Sequence, residues 1–256
     1  MKKTITYARY FFDYLKHGDL VSIIASVKYV LNKRSHRSDR IIKTSIGTFF
    51  CRKNTNDFQF ANYYYEWGVK KYLLDHKNEF NLFIDGGACI GSYSILLSSF
   101  NIRCIAFEPV PANFTVLEKN IELNNLRSMI TSFPLGLGDR NSTEQFTFAP
   151  VNTGASHIDI EPNMPHCVAE ICTFDSLIGR LNISLSEKIM FKLDIEGMEV
   201  EAIMGAAGFI RKYPYITFIL EDKHTGQNPI KKILNQLGSF EFGEIDEYNF
   251  YAKKIN

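Results

Sequence analysis

Two carboxylates 23 residues apart, Asp85 and Glu108, each close a short apolar run, an arrangement suited to holding a nucleoside. Asp85 ends Leu82-Phe83-Ile84, and Glu108 ends Cys104-Ile105-Ala106-Phe107. Between them lie Gly86, Gly87 and Gly91, and glycine admits a ligand to the main chain where a Cβ would block it. A helix opening near Gly91 would add free N–H groups and positive dipole charge. An acid at the end of the second strand of such a unit accepts hydrogen bonds from ribose hydroxyls. The plainer reading is that both acids only cap loops. Asp194 and Glu196 leave the end of another apolar run, and His224 follows a further one. Ligands of open α/β sheets sit outside the carboxyl ends of the strands, so these three are candidates for holding or removing a proton. His157, in the polar loop 152–157, is a weaker candidate, because a lone loop histidine is more often only solvated. Asp194 with Glu196 could also hold a divalent cation, but no third ligand is evident and no metal is expected.

The glycines decide between nucleosides. Gly86, Gly87 and Gly91 do not meet the G-x-G-x-x-G spacing that admits a dinucleotide pyrophosphate. An aspartate at the strand tip would repel a pyrophosphate and attract a cation, such as the amino group or sulfonium of S-adenosylmethionine. Asn113 can reach back to that ligand or cap its own helix. Leu137 can press on a flat ring, with Gly138 allowing close approach.

Four blocks then occur in order: Asp85 to Gly91, Ala106 to Phe114, Gly136 to Asp139, and Lys192 to Glu199. Together they resemble the FkbM family of S-adenosylmethionine-dependent methyltransferases, over about residues 57 to 221. Gly86 and Cys89 stand where that family usually has Val and Asn, at positions that act through the backbone. The resemblance implies S-adenosylmethionine as cofactor, held by Asp85, Gly86, Gly87, Gly91, Glu108, Asn113, Leu137 and Gly138. It also implies O-methylation of a sugar, glycan or other hydroxylated metabolite, with His224, Asp194 and Glu196 as catalytic candidates.

The elements that must position these residues read as an α/β, Rossmann-like class I methyltransferase fold. Its mostly parallel sheet of seven strands is flanked by helices. Core strands are expected at Leu82–Ile84, Arg103–Glu108, Ser128–Phe133, Lys188–Leu193 and Tyr215–Leu220, with a closing hairpin from Phe240–Phe242 and Asn249–Ala252. Ile41–Arg52 reads as two short strands turning near Gly47. Asp57 to His76 reads as one helix, and Pro111 opens another that runs to about Asn124. Strands are expected around Gln145–Phe148 and Cys167–Thr173, and Asp175 is expected to cap the helix that follows.

Residues 1–40 read as a helical appendage to a domain covering 41–256. Tyr7, Tyr10, Phe11 and Tyr14 form an aromatic stripe. After a break at His17-Gly18, Asp19 can cap a second helix with an apolar face of Leu20, Ile23, Ile24, Val27, Val30 and Leu31. A basic stretch, 33–40, follows. Such a pair either packs on protein, the commoner case, or lies on the inner face of a membrane. No apolar run is long enough to span one. Hydrophobic content is 45%, charged content 22% and net charge +1, ordinary values that give no global field for nucleic acid. Five scattered cysteines and no signal peptide fit reduced thiols in the cytoplasm. Two other classes stay open: a nicotinamide-dependent oxidoreductase, and a non-catalytic, membrane-associated nucleoside-binding protein.

Overall fold

The computed structural model describes residues 2–33, 35–147, 151–154 and 163–255, with only the main chain at 2–8. Its centre is a seven-stranded sheet. Five neighbouring strands run parallel: β10 (Ile216–Glu221), β9 (Ile189–Leu193), β3 (Leu82–Gly86), β4 (Arg103–Phe107) and β5 (Ile130–Phe133). The hairpin of β11 (Ser239–Glu244) and β12 (Asn249–Ile255) closes one edge, with β12 antiparallel to β10. β3 and β9 are buried at every position, as strands covered on both faces must be.

Alternation along these strands feeds two cores. Phe83, Met190 and Ile219 join one core with residues of α4 (Trp67–Asp75), α5 (Ser92–Ser98) and α6 (Pro111–Leu123). Leu82, Ile84, Phe191 and Phe218 face α7 (Phe174–Leu181), α8 (Glu199–Gly205), α9 (Ala207–Lys212) and α10 (Gln227–Leu237). β1 (Arg40–Lys43) and β2 (Thr48–Cys51) form the expected small hairpin. β6 (Leu135–Leu137), β7 (Ser142–Thr147) and β8 (His166–Cys172) form a separate three-stranded sheet. Phe148, expected at the end of β7, lies outside the described residues, as does His157.

The helix expected over Asp57 to His76 is two helices, α3 (Asp57–Phe60) and α4 (Trp67–Asp75). Asn62 ends the first by local competition. Its Oδ1 accepts from the Tyr64 N–H at 2.9 Å, and its Nδ2 donates to the Tyr10 carbonyl at 3.1 Å. Glu66 then takes a left-handed φ of 48° and turns the chain into α4. A second correction concerns Asp175. Thr173 caps α7, and Asp175 instead accepts from the N–H groups of Gly208 and Phe209, at 2.7 and 2.8 Å, at the start of α9.

The N-terminal helices are α1 (Lys2–Lys16) and α2 (Leu20–Asn32). Of the α1 stripe, Tyr10 and Tyr14 pack inward and Phe11 is half-buried, while the Tyr7 side chain lies outside the described residues. Tyr14 is fully buried, its hydroxyl donates to the Phe58 carbonyl at 2.6 Å, and Tyr10 is buried beside it. Burying an aromatic of this size stabilises the helix by about 1.5–3 kcal/mol. Asp19 caps α2 as expected, accepting from the Ser22 N–H at 3.1 Å. The packed face of α2, however, is Ser22, Ala25, Ser26 and Tyr29, not the aliphatic face expected to be the apolar one.

Candidate active site

The carboxyl ends of β3, β4, β9 and β10 open into one cleft. After β3 the chain turns sharply. Gly87 has a φ of 81°, and a Cβ there would lie 2.0 Å from the Asp194 carbonyl oxygen, so only glycine fits. Cys89 follows with φ 49° and directs its N–H at Glu108. The Glu108 carboxylate accepts from Cys89 N at 2.8 Å and from Val110 N at 2.9 Å, which fixes it at the lip of the cleft. Burial raises its carboxyl to about 7, against those hydrogen bonds and the Arg52 charge. Asn113 lines the same wall. Its Nδ2 donates to the Thr153 carbonyl at 2.9 Å, and its Oδ1 accepts from Arg52 at 2.9 Å. Arg52 is itself held by two hydrogen bonds to buried Asp57, each 2.8 Å. Leu137, with Phe107 and Pro109, makes an apolar wall beside Glu108.

The opposite wall is charged. Lys192 and Asp85 are register partners on β9 and β3, and alternation turns both toward the face that carries Phe83. The Lys192 Nζ donates to Asp194 at 2.7 Å and sits 4.8 Å from the Tyr93 ring centre. Tyr93 donates to Glu66 at 2.6 Å. Burial alone would lower the Lys192 ammonium, but Asp194, Glu66 and Asp85 hold it well above its ordinary value. Asp85 is fully buried; Ser94 donates to its Oδ2 at 2.7 Å, while Oδ1 has no partner. Burial raises its carboxyl in spite of Lys192.

At the far end, Glu196 takes a left-handed φ of 53° and pairs with the Nε2 of His224 at 2.9 Å. Glu199 braces this turn, accepting from the N–H groups of Ile195 and Gly197 and from the Thr225 hydroxyl. Burial, then Asp194, raises the Glu196 carboxyl, and burial with Asp194 and Glu196 raises Glu221. Glu196, Glu221 and His224 each offer a donor atom, all within 4.8 Å of one another. This trio replaces the expected pair: Asp194 is not part of it and Glu221 is, with Lys223 and Lys192 already supplying positive charge to these acids.

Of the residues read from sequence as cofactor-binding, Gly87, Glu108, Asn113 and Leu137 line the cleft. Asp85, Gly86, Gly91 and Gly138 lie behind it. A Cβ on Gly86 would meet Leu193, one on Gly91 would meet Leu117, and one on Gly138 would meet Ile171, so these three serve close packing. Asp194 and Glu196 line the cleft, and His224 stands at its edge through Glu196. Sequence reasoning set Lys192 aside and missed Glu66, Tyr93 and Glu221, all of which line it. A lysine inside an otherwise apolar strand was the available signal, because a buried ammonium needs partners. Among the described residues eight non-glycines have positive φ, and Glu66, Cys89 and Glu196 are on the cleft wall, where backbone strain of this kind concentrates.

Comparison with known proteins names the family. The methyltransferase FkbM domain matches residues 85–250, well over half of the chain. The chain belongs to the FkbM methyltransferase family. Methyltransferase 1 of Beauveria bassiana is 25% identical over 143 residues, 48% of this chain and 57% of that protein. The match thus spans a little over half of that relative's length. The solved FkbM methyltransferase of Methylobacillus flagellatus is 17% identical, covering 68% of this chain and 44% of that one with a TM-score of 0.49. The tRNA m1G37 methyltransferase of M. jannaschii is 14% identical, covering 93% and 68% with a TM-score of 0.45.

An FkbM methyltransferase implies S-adenosylmethionine, and the cleft has the groups to fit it. Glu108 offers carboxylate oxygens at its lip, the main chain of the Gly87–Cys89 turn lines it, and Leu137 with Phe107 and Pro109 offers an apolar face. The same match favours the methyl-donor reading over the nicotinamide one.

Proposed function

We propose that this chain is an S-adenosylmethionine-dependent O-methyltransferase acting on a hydroxyl of a sugar, glycan or similarly hydroxylated metabolite. The observation that carries the reading is a cleft with two unlike ends: a glycine turn with Glu108 at one, and the His224–Glu196 pair at the other. When bound, S-adenosylmethionine supplies an electrophilic methyl group on a cationic sulfur. Glu108, Leu137 and the Gly87 turn hold and orient the nucleoside. The Asp194 and Glu66 acids, with Asp85 buried behind them and Lys192 as counter-charge, give the adjoining wall the charge to receive the cationic methionine portion. With Nε2 of His224 donating to Glu196, its Nδ1 carries the lone pair and takes the acceptor's hydroxyl proton. Glu196 then stabilises the imidazolium. Asp194, fixed by Lys192, orients the hydroxyl rather than deprotonating it. A hydroxyl-rich acceptor is supported by the carboxylates at that end, where Glu221 joins Asp194 and Glu196.

Incubation with methyl-labelled donor and a panel of nucleotide sugars, lipid-linked glycans and small alcohols tests this. Label on a hydroxyl, removed by His224→Ala, supports the reading. Label only on a protein amine would sink it.

A further inference from the structure

The second helix is packed inside out. Hydrophobic burial should place its aliphatic residues against the protein, yet α2 buries Ser22, Ala25, Ser26 and Tyr29. It presents Leu20, Val21, Ile24, Val27, Val30 and Leu31 to solvent, with Leu31 77% and Leu20 61% exposed. The neighbouring α1 adds Phe12 and Leu15, both more than half exposed. Isolated exposed aliphatics need no explanation, but a continuous face of them on a packed helix marks a binding surface.

Charge identifies what binds there. Residues 1–40 hold nine Lys and Arg and three Asp, a net charge of +6 in a chain whose total is +1, so the remaining residues sum to −5. Two of the three acids are turned inward, and the third, Asp39, is exposed and accepts from the Lys53 N–H at 2.8 Å. Asp13 is buried and accepts from the main-chain N–H groups of Ser45 and Tyr63, while Asp19 is taken up by Ser22 and Arg40. Arg9, Lys16, Lys28, Lys33 and Arg37 are exposed. An aliphatic face bordered by outward cations is the pattern of a helix lying in a membrane interface. A second copy of the chain would bring +6 against +6 across the contact, which like-charge repulsion disfavours. Among the described residues no helix is long and apolar enough to cross a membrane, so α2 would lie on the bilayer and not span it.

We propose that the outward face of α2, with its flanking basic residues, docks this protein on an anionic lipid bilayer.

Co-flotation of the full chain with vesicles of phosphatidylcholine and phosphatidylglycerol, 3:1, against phosphatidylcholine alone, tests the proposal. Partitioning should be roughly tenfold stronger on the anionic vesicles and should fall steeply in high salt. The double variant Val27→Glu with Leu31→Glu should lose roughly tenfold or more while keeping its circular dichroism and donor binding. Equal partitioning of wild type on both vesicles, or binding unchanged by the double variant, would overturn it. So would a concentration-dependent dimer in size-exclusion chromatography that the variant abolishes without any vesicle binding. If the variant misfolds, the wild-type comparison of vesicle charge and salt decides alone.

Discussion

Replacing Lys192 by Met should destabilise the protein in a way that depends on pH. The side chain is 3% exposed and its ammonium is the partner of Asp194 at 2.7 Å. It also offsets the charges of Asp85 and Glu66. Methionine matches its length but leaves those acids without their cation. Removing one partner of a buried ion pair costs about 3–5 kcal/mol. For a chain of this size that lowers the unfolding midpoint by roughly 6–20 °C. The pH dependence follows from Asp85, whose carboxyl burial already raises and which loses its counter-charge in the variant. A carboxyl with a raised folded-state pKa keeps its full contribution at low pH and loses it as pH rises through that value. The deficit of Lys192→Met is therefore largest at pH 8 and smaller at pH 5. Thermal unfolding of wild type, Lys192→Met and Lys192→Met with Asp194→Asn measures both features, and the double variant should recover part of the loss. A deficit below about 1 kcal/mol, or one equal at the two pH values, would refute the view of Lys192 as the counter-charge of this wall.

Three further outcomes are expected. Because free Glu108 sits near 7 and ligand hydroxyls favour its ionised form, S-adenosylmethionine affinity should rise about tenfold from pH 6 to pH 8. Calorimetry on Glu108→Gln should show that slope gone. Gly87→Ala should cost at least about 1–2 kcal/mol from its left-handed φ, and more from overlap with the Asp194 carbonyl, measured as a lower unfolding midpoint with weakened donor binding. His224→Ala should reduce turnover by roughly 100-fold or more while leaving donor affinity within about twofold, a split that steady-state kinetics and calorimetry separate.

Much of this was legible because its signals are local. An apolar run, a glycine turn and a terminal acid lie within ten residues at Leu82–Gly91, and they give β3, the Gly87 turn and α5. Glu108 was readable for the same reason. What was not legible depends on partners distant in sequence. Lys192 is in the site because β9 pairs with β3 and sets it beside Asp85. Glu66 reaches the cleft because Asn62 breaks a helix that propensity alone would continue. Glu221 joins Glu196 and His224 only when β10 lies next to β9. The outward face of α2 reversed the usual rule that an apolar stripe faces the core, so periodicity found the stripe but not its direction.

The central claim is that Glu108 and the Gly87 turn form a site for S-adenosylmethionine. Calorimetric titration of S-adenosylmethionine, its demethylated product and NADH into wild type and Glu108→Ala at pH 8 tests it most directly. Micromolar binding of the first two to wild type, lost in Glu108→Ala and absent for NADH, is the predicted result. Failure of pure wild-type protein to bind either methyl-donor ligand, or tight binding of NADH, would contradict it.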